Sequence, residues 1–124
     1  MMPGITAPAQ PPAATLTQVY SDIFITSCSV CHGMAPNAGL NGGLGMITSK
    51  DAFYTAVVGK AATSMVCTGR GTLIVPFQPV QSLLFQVLTS TPPCGMRMPL
   101  GMAPLTDAQM AIFEGWIMAG AKND

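Results

Sequence analysis

The run Cys28-Ser29-Val30-Cys31-His32 constrains this chain more than any other feature. Its pattern, C-x-x-C-H, is the mark of covalent haem attachment. Two thiols three positions apart reach the two vinyl groups of one haem and form thioethers. His32, next in the chain, is then held against the iron as the proximal ligand, the commonest nitrogen donor for haem. A chain that carries a haem this way must fold as its wrapping. Other readings of the thiols fit less well. A thioredoxin-like redox pair needs a strand–helix–strand setting, and none is visible. A zinc site needs two pairs of ligands. Cys67 and Cys94 have no thiol or histidine close in sequence, and His32 is the only histidine.

A length of 124 residues predicts one domain with a modest core. Apolar residues make up 49% of the chain but aromatic ones only 6%, so such a core gains from a large flat apolar ligand. Five basic and five acidic residues leave a formal net charge of zero. That argues against nucleic-acid binding, which needs clustered Lys and Arg. It also argues against strong steering towards a charged partner. Haem propionates would add negative charge to this count.

No apolar run approaches the length of a transmembrane span. Met1 to Thr15 lacks the basic start and apolar centre of a secretory signal. Thioether-bound haem and disulfides nonetheless belong outside the reducing cytosol. A mature or trimmed chain reconciles the two, with Met1 an introduced start and a periplasmic or other extracytoplasmic location. Residues 1–14 are rich in Pro and Ala and read as a linker ahead of a haem domain at 15–124. A tether to a lipid anchor or neighbouring domain and a floppy terminus are equally compatible with that composition.

The expected fold is all-α, with about four helices around one haem and long loops between them. Thr15 and Gln18 form a T-x-x-Q capping box. Leu16, Val19, Tyr20, Ile23 and Phe24 follow on one helical face, with the haem motif at the end of that helix. A second helix runs from an N-cap at about Ser49 to Val58, with Ala52, Phe53, Ala56 and Val57 inward. A third covers about Pro79 to Thr89 and turns Val80, Leu83, Leu84, Val87 and Leu88 to one side. The last starts at Thr106, where Gln109 completes a second capping box. Ile112, Phe113, Trp116 and Ile117 make its apolar face.

With His32 on one side of the iron, the other side decides the chemistry. A second histidine does not exist, but there are ten methionines. Thioether sulfur is a soft donor that favours ferrous iron and raises the potential. Met98 is the favoured ligand, because Pro99 holds the backbone extended and suits a fixed loop that presents a side chain. Met96, two residues away and on the same side of an extended segment, is the main rival. Met102, Met46 and Met65 are weaker ones.

These features together resemble class I c-type cytochromes: C-x-x-C-H near the start, Met98-Pro99 late, and a Trp-bearing C-terminal helix. The resemblance spans roughly residues 15–120. It implies a cytochrome c-like fold whose N- and C-terminal helices cross through Phe24, Phe113 and Trp116. The runs Cys94-Gly95-x-x-Met98-Pro99 and Trp116-Ile117-x-x-Gly120-Ala121 look like single-haem cytochromes of deltaproteobacterial or myxobacterial secreted proteins.

Cys67 and Cys94 remain as an even pair in an oxidising compartment. They read as a structural disulfide, with a redox switch as the alternative. Closing that loop is worth about 3–4 kcal/mol on the chain-entropy model. The bridge would anchor the loop just before Met98, and its reduction is expected to loosen that ligand.

The function that follows is electron transfer through one covalent haem c with His32 and Met98 bound throughout. His32 is expected to give its other ring N–H to a backbone carbonyl in the loop from Gly33 to Met46. The partners are redox proteins, docked weakly and briefly by a monomer through an apolar haem edge. One alternative is a peroxidase-like haem enzyme, which needs an open iron and a distal acid–base group. Asp107 and Glu114 fall on the last helix, Asp22 and Asp51 look like solvated helix residues, and Arg97 suits a propionate better than a reacting group. Another alternative is a haem-bearing assembly module of a larger redox complex.

Overall fold

The first helix starts where the capping pattern puts it. Thr15 Oγ1 accepts the Gln18 backbone N–H at 3.1 Å. A computed structural model describes residues 11–33 and 47–124. From the cap the chain winds as an α-helix over Leu16–Val19 (α1). It then widens into nine residues of π-helix over Tyr20–Cys28 and closes as an α-helix over Ser29–His32 (α2). In the wide stretch each N–H reaches five residues back, as Ser29 N–H does to Phe24 O. Hydroxyl groups take up carbonyls that a regular ladder would use. Thr26 Oγ1 donates to Asp22 O at 2.8 Å and Ser29 Oγ to Ile25 O at 2.7 Å, a competition that loosens helices. The even helical periodicity of the sequence predicts a regular α-helix here, and the structure departs from it. The expected face holds, with Leu16, Val19, Ile23 and Phe24 buried.

The leading N–H groups of α1 are met from the far end of the chain. Leu16 N–H donates to Asp124 Oδ1 at 2.9 Å and Thr17 N–H to Asp124 O at 3.1 Å. Lys50 Nζ donates to the same Asp124 oxygen at 3.1 Å. A carboxylate there also suits the positive end of a helix. Helix α3, Lys50–Val57, begins at Ser49, whose Oγ accepts from Ala52 N–H at 3.1 Å. It buries Phe53 and Val57.

Helix α5, Asp107–Met118, carries both halves of its capping box. Gln109 N–H donates to Thr106 Oγ1 at 3.1 Å, and Thr106 N–H to Gln109 Oε1 at 2.9 Å. Its inner face, Phe113, Trp116 and Ile117, joins Phe24 and Phe53 in one core. Ring centroids lie 5.3 Å apart for Phe24–Phe53, 6.2 Å for Phe53–Trp116 and 5.9 Å for Phe113–Trp116. The Trp116 indole N–H is satisfied by Lys122 O at 2.8 Å. On another face a Cβ at Gly115 would stand 2.0 Å from Pro12 O. The end of the Pro/Ala segment therefore lies directly on α5, with Ala14 buried. Packing begins before Thr15, inside the stretch that composition reads as linker.

The third expected helix is broken. Pro79–Gln81 forms a 3-10 turn, and a short α4 covers Leu83–Gln86. Ser82 between them is extended, because Leu83 N–H bonds Thr72 O and Leu84 N–H bonds Leu73 O, both at 2.9 Å. Its side chain is buried and bridges the loop, accepting from Val75 N–H at 2.8 Å and donating to Gln78 O at 2.9 Å. Tertiary pairing overrides helical periodicity here, and Val80 ends up exposed. Two isolated bridges, Val58 with Ile74 and Ala61 with Thr72, tie the same loop together. Among the described residues the fold is all-α, with no β-strand and no helix long and apolar enough to cross a membrane.

Ser82→Ala strands the Val75 N–H in the interior, an unmet donor worth about 1–3 kcal/mol. Urea unfolding of this variant should show a loss of that size, while Gln81→Ala, at an exposed neighbour, should stay within about 0.5 kcal/mol of the native protein.

Candidate functional site

One wall of a cleft of about 270 Å³ is the first helix, through Val19, Ile23, Phe24, Cys28, Cys31 and His32. The other walls come from Phe53, the 62–67 turn, α4 and the loop after it, with Met96, Met98 and Leu100. The volume lies just below the ~300–1,000 Å³ usual for small-molecule sites. Among the described residues the lining is apolar, with no Asp, Glu, Lys or Arg and with His32 as its single imidazole.

The wide winding of Tyr20–Cys28 sets this wall. It keeps residues four and five apart in line, so Val19, Ile23, Phe24 and Cys28 all reach the cleft. Helix α2 then adds Cys31 and His32 within one turn. Cys28 and Cys31 are not in disulfides. Burial, and secondarily the neighbouring Cys31, push the Cys28 thiol up to about 11. Burial also pulls the His32 pKa below its ordinary 6.5. At neutral pH the cleft thus presents a protonated Cys28 thiol and an uncharged imidazole. His32 Nδ1 is buried and has no hydrogen-bond partner among the described residues. Such an orphan costs about 1–3 kcal/mol unless something binds it. The carbonyl expected to take a His32 N–H falls in the loop from Gly33 to Met46, which beyond Gly33 lies outside the described residues.

The structure separates the candidate methionines. Met98 is half-buried, packs against the main core and lines the cleft. Its backbone N–H is fixed to Val87 O at 2.9 Å. Met96 also lines the cleft but is 68% exposed, and Met102 is 44% exposed. Met65 is fully exposed and outside the lining, and Met46 lies outside the described residues. The expected extended run through Pro99 does not form. The Met98–Pro99 peptide is cis, and Met102 N–H bonds Pro99 O at 3.3 Å.

Cys67 and Cys94 are joined by a disulfide with a Cα–Cα distance of 5.4 Å, across 27 positions. Both cysteines are buried and both line the cleft. The sequence reading missed the wall they bring with them, Ala62, Ser64 and Val66. Its signal was the Cys67–Cys94 pairing, which carries that turn to the Met98 loop. Arg97 points elsewhere, donating from Nε to Leu88 O at 3.3 Å. Asp22, Asp51, Asp107 and Glu114 are outside the lining.

Among the described residues no group of three or more His, Cys, Asp or Glu is arranged to hold a metal ion by itself. What the cleft offers is an imidazole, two thiols and three thioethers, of which Met98 is the most buried, around an apolar space. That donor set fits a large apolar group carrying its own metal. In comparisons with known proteins, no family model, no curated protein and no solved structure matches the chain. The reading of the site therefore stands on its residues and their arrangement.

The two shifts predict how stability of the chain without a bound group varies with pH. Unfolded His32 takes up a proton below 6.5 while the folded one resists, so stability falls as pH drops through that range. Unfolded Cys28 loses its proton above 9.0 while the folded thiol keeps it to about 11. Stability therefore also falls from pH 9 upwards, by about 2–3 kcal/mol when fully expressed. Urea unfolding from pH 5 to 11 should give a plateau between the two flanks. In Cys28→Ala the alkaline flank should flatten.

Proposed function

We propose that this chain is an electron-transfer protein with a cytochrome c-like fold, carrying one covalent haem in the cleft. The observation that carries the reading is that Cys28, Cys31, His32 and Met98, picked out by sequence, all line one apolar space. The thiols would anchor the group by adding S–H across its two vinyls, a step with no leaving group. The neutral His32 imidazole has a lone pair to give to the iron, and its orphaned Nδ1 is consistent with a ring built to hold something. Met98 would supply the iron's other protein ligand, chosen over Met96 because its side chain is half-buried and its backbone is fixed. When bound, the haem iron supplies one-electron chemistry, passing between ferric and ferrous.

The residues around it set the terms. Val19, Ile23, Phe24, Phe53, Leu83 and Leu84 would keep water from the group, and low polarity with a thioether ligand holds the potential high. Among the described residues the lining has no carboxylate or second imidazole, so they offer a peroxidase-like role no distal acid–base group. Thioether chemistry and the Cys67–Cys94 disulfide favour an extracytoplasmic setting. Docking to redox partners would be brief and weakly charged, as the neutral composition suggests.

The test is the visible spectrum of protein matured where c-type haem can be attached. The oxidised form should show the weak far-red band of a methionine–ferric iron bond. Met98→Ala should lose that band, bind carbon monoxide readily and fall in potential, whereas Met96→Ala should keep all three native properties. A far-red band that survives Met98→Ala would contradict the assignment, and haem bands lacking it in the native protein would point to an open iron.

A further inference from the structure

Of the three thioethers in the cleft lining, Met96, Met98 and Met102, the first two stand two positions apart on one loop. Something in the fold must decide which one faces the interior. The segment between them and α4 is held at both ends. At one end Cys94 is buried and bonded to Cys67, and the pair packs with Ala62 and Leu83 in a small core of its own. That core is rigidly tied: Ala62 N–H bonds Gly71 O at 3.0 Å, Leu73 N–H bonds Lys60 O at 2.7 Å and Leu83 N–H bonds Thr72 O at 2.9 Å. At the other end Met98 N–H is fixed to Val87 O at 2.9 Å. Gly95, Met96 and Arg97 alone lie between these anchors.

The path between them is also narrow. Gly95 has φ +66°, and a Cβ there would stand 3.0 Å from Val66 Cγ2. The chain thus turns against Val66 directly after Cys94, in a conformation that other residues resist. Arg97 is turned away by its bond to Leu88 O at 3.3 Å. With the start and the end of the segment both set, Met96 is left 68% exposed while Met98 packs against the main core.

We propose that the Cys67–Cys94 disulfide, with the Gly95 turn, is a ligand selector: it fixes the loop so that Met98, not Met96, reaches the iron. This rests on the haem reading above and assigns the disulfide a role in it. The bridge positions the ligand; it touches neither iron nor substrate. Both its cysteines are buried, at 9% and 8% exposure, which suits a permanent tether better than a switch open to attacking thiols. Without it, the loop is free to slip by two residues, which brings Met96 to where Met98 stood.

The experiment uses haem-loaded protein labelled at methionine methyl groups and reduced to the ferrous state. An iron-bound methionine methyl lies over the haem ring and is shifted far from the others in the NMR spectrum. Native protein should show one such signal. Cys67→Ser/Cys94→Ser should show two, the second with about a tenth of the intensity or more, as when a preference falls to roughly tenfold. Adding Met96→Leu should remove the second signal, and adding Met98→Leu instead should remove the first. If the double serine variant fails to fold, Gly95→Ala keeps the disulfide, strains the turn and should give the same second signal. A single unchanged signal in a folded selector variant overturns the proposal, as does a second signal that survives Met96→Leu. A native protein with no shifted methyl at all removes the haem–methionine reading, and this proposal falls with it.

Discussion

The site is organised by the wide winding of Tyr20–Cys28, which leads into Cys31 and His32 at the edge of an apolar cleft. An imidazole buried there would lose much of its solvation on taking a proton, so burial keeps it neutral. The same burial keeps Cys28 protonated. The helix that carries both residues is wound wide just before them, and that winding aligns Val19, Ile23, Phe24 and Cys28 towards one space. Site and local backbone are thus one feature. π-helical turns are rare and frequent at functional sites, and this wider stretch ends in the C-x-x-C-H run.

The scaffold behind the site is a relay of aromatic contacts and end-to-end ties. Phe24 on the first helix meets Phe53 on α3, Phe53 meets Trp116 on α5, and Trp116 meets Phe113. Three of these rings, Phe24, Phe53 and Phe113, also line the cleft, so the core and the site share walls. Asp124 holds the start of α1, and Pro12 lies against Gly115 of α5. The residues flanking the helical domain are therefore part of what positions the first helix. On the proposed reading, a group bound in the cleft would complete this core.

Much of this was legible in the sequence. Capping residues fixed three helix starts, at Thr15, Ser49 and Thr106, because a side-chain oxygen at that position has one main use. The buried faces of the first and last helices followed from periodicity. The cysteine pairing followed from counting once Cys28 and Cys31 were set aside. The misses differ in cause. The break at Ser82 and the burial of Ala14 arise from contacts with distant parts of the chain, whereas the π winding goes with local bonds from Thr26 and Ser29 hydroxyls to carbonyls four residues back. Ser82 departs from helix because Thr72 and Leu73 offer carbonyls to the next two N–H groups. Local pattern carries no trace of such partners. In the sequence Met98 is favoured through an extended run at Pro99 that does not form, and it is the Val87 bond and the burial difference that set Met98 apart from Met96.

The most direct test of the central claim is the intact mass of the denatured protein after maturation in a host that attaches c-type haem. The account predicts the mass of the chain plus one haem, retained under denaturing conditions, and loss of the added mass in Cys28→Ser/Cys31→Ser. A native protein at the mass of the bare chain, from a host shown to load another C-x-x-C-H protein, would contradict it.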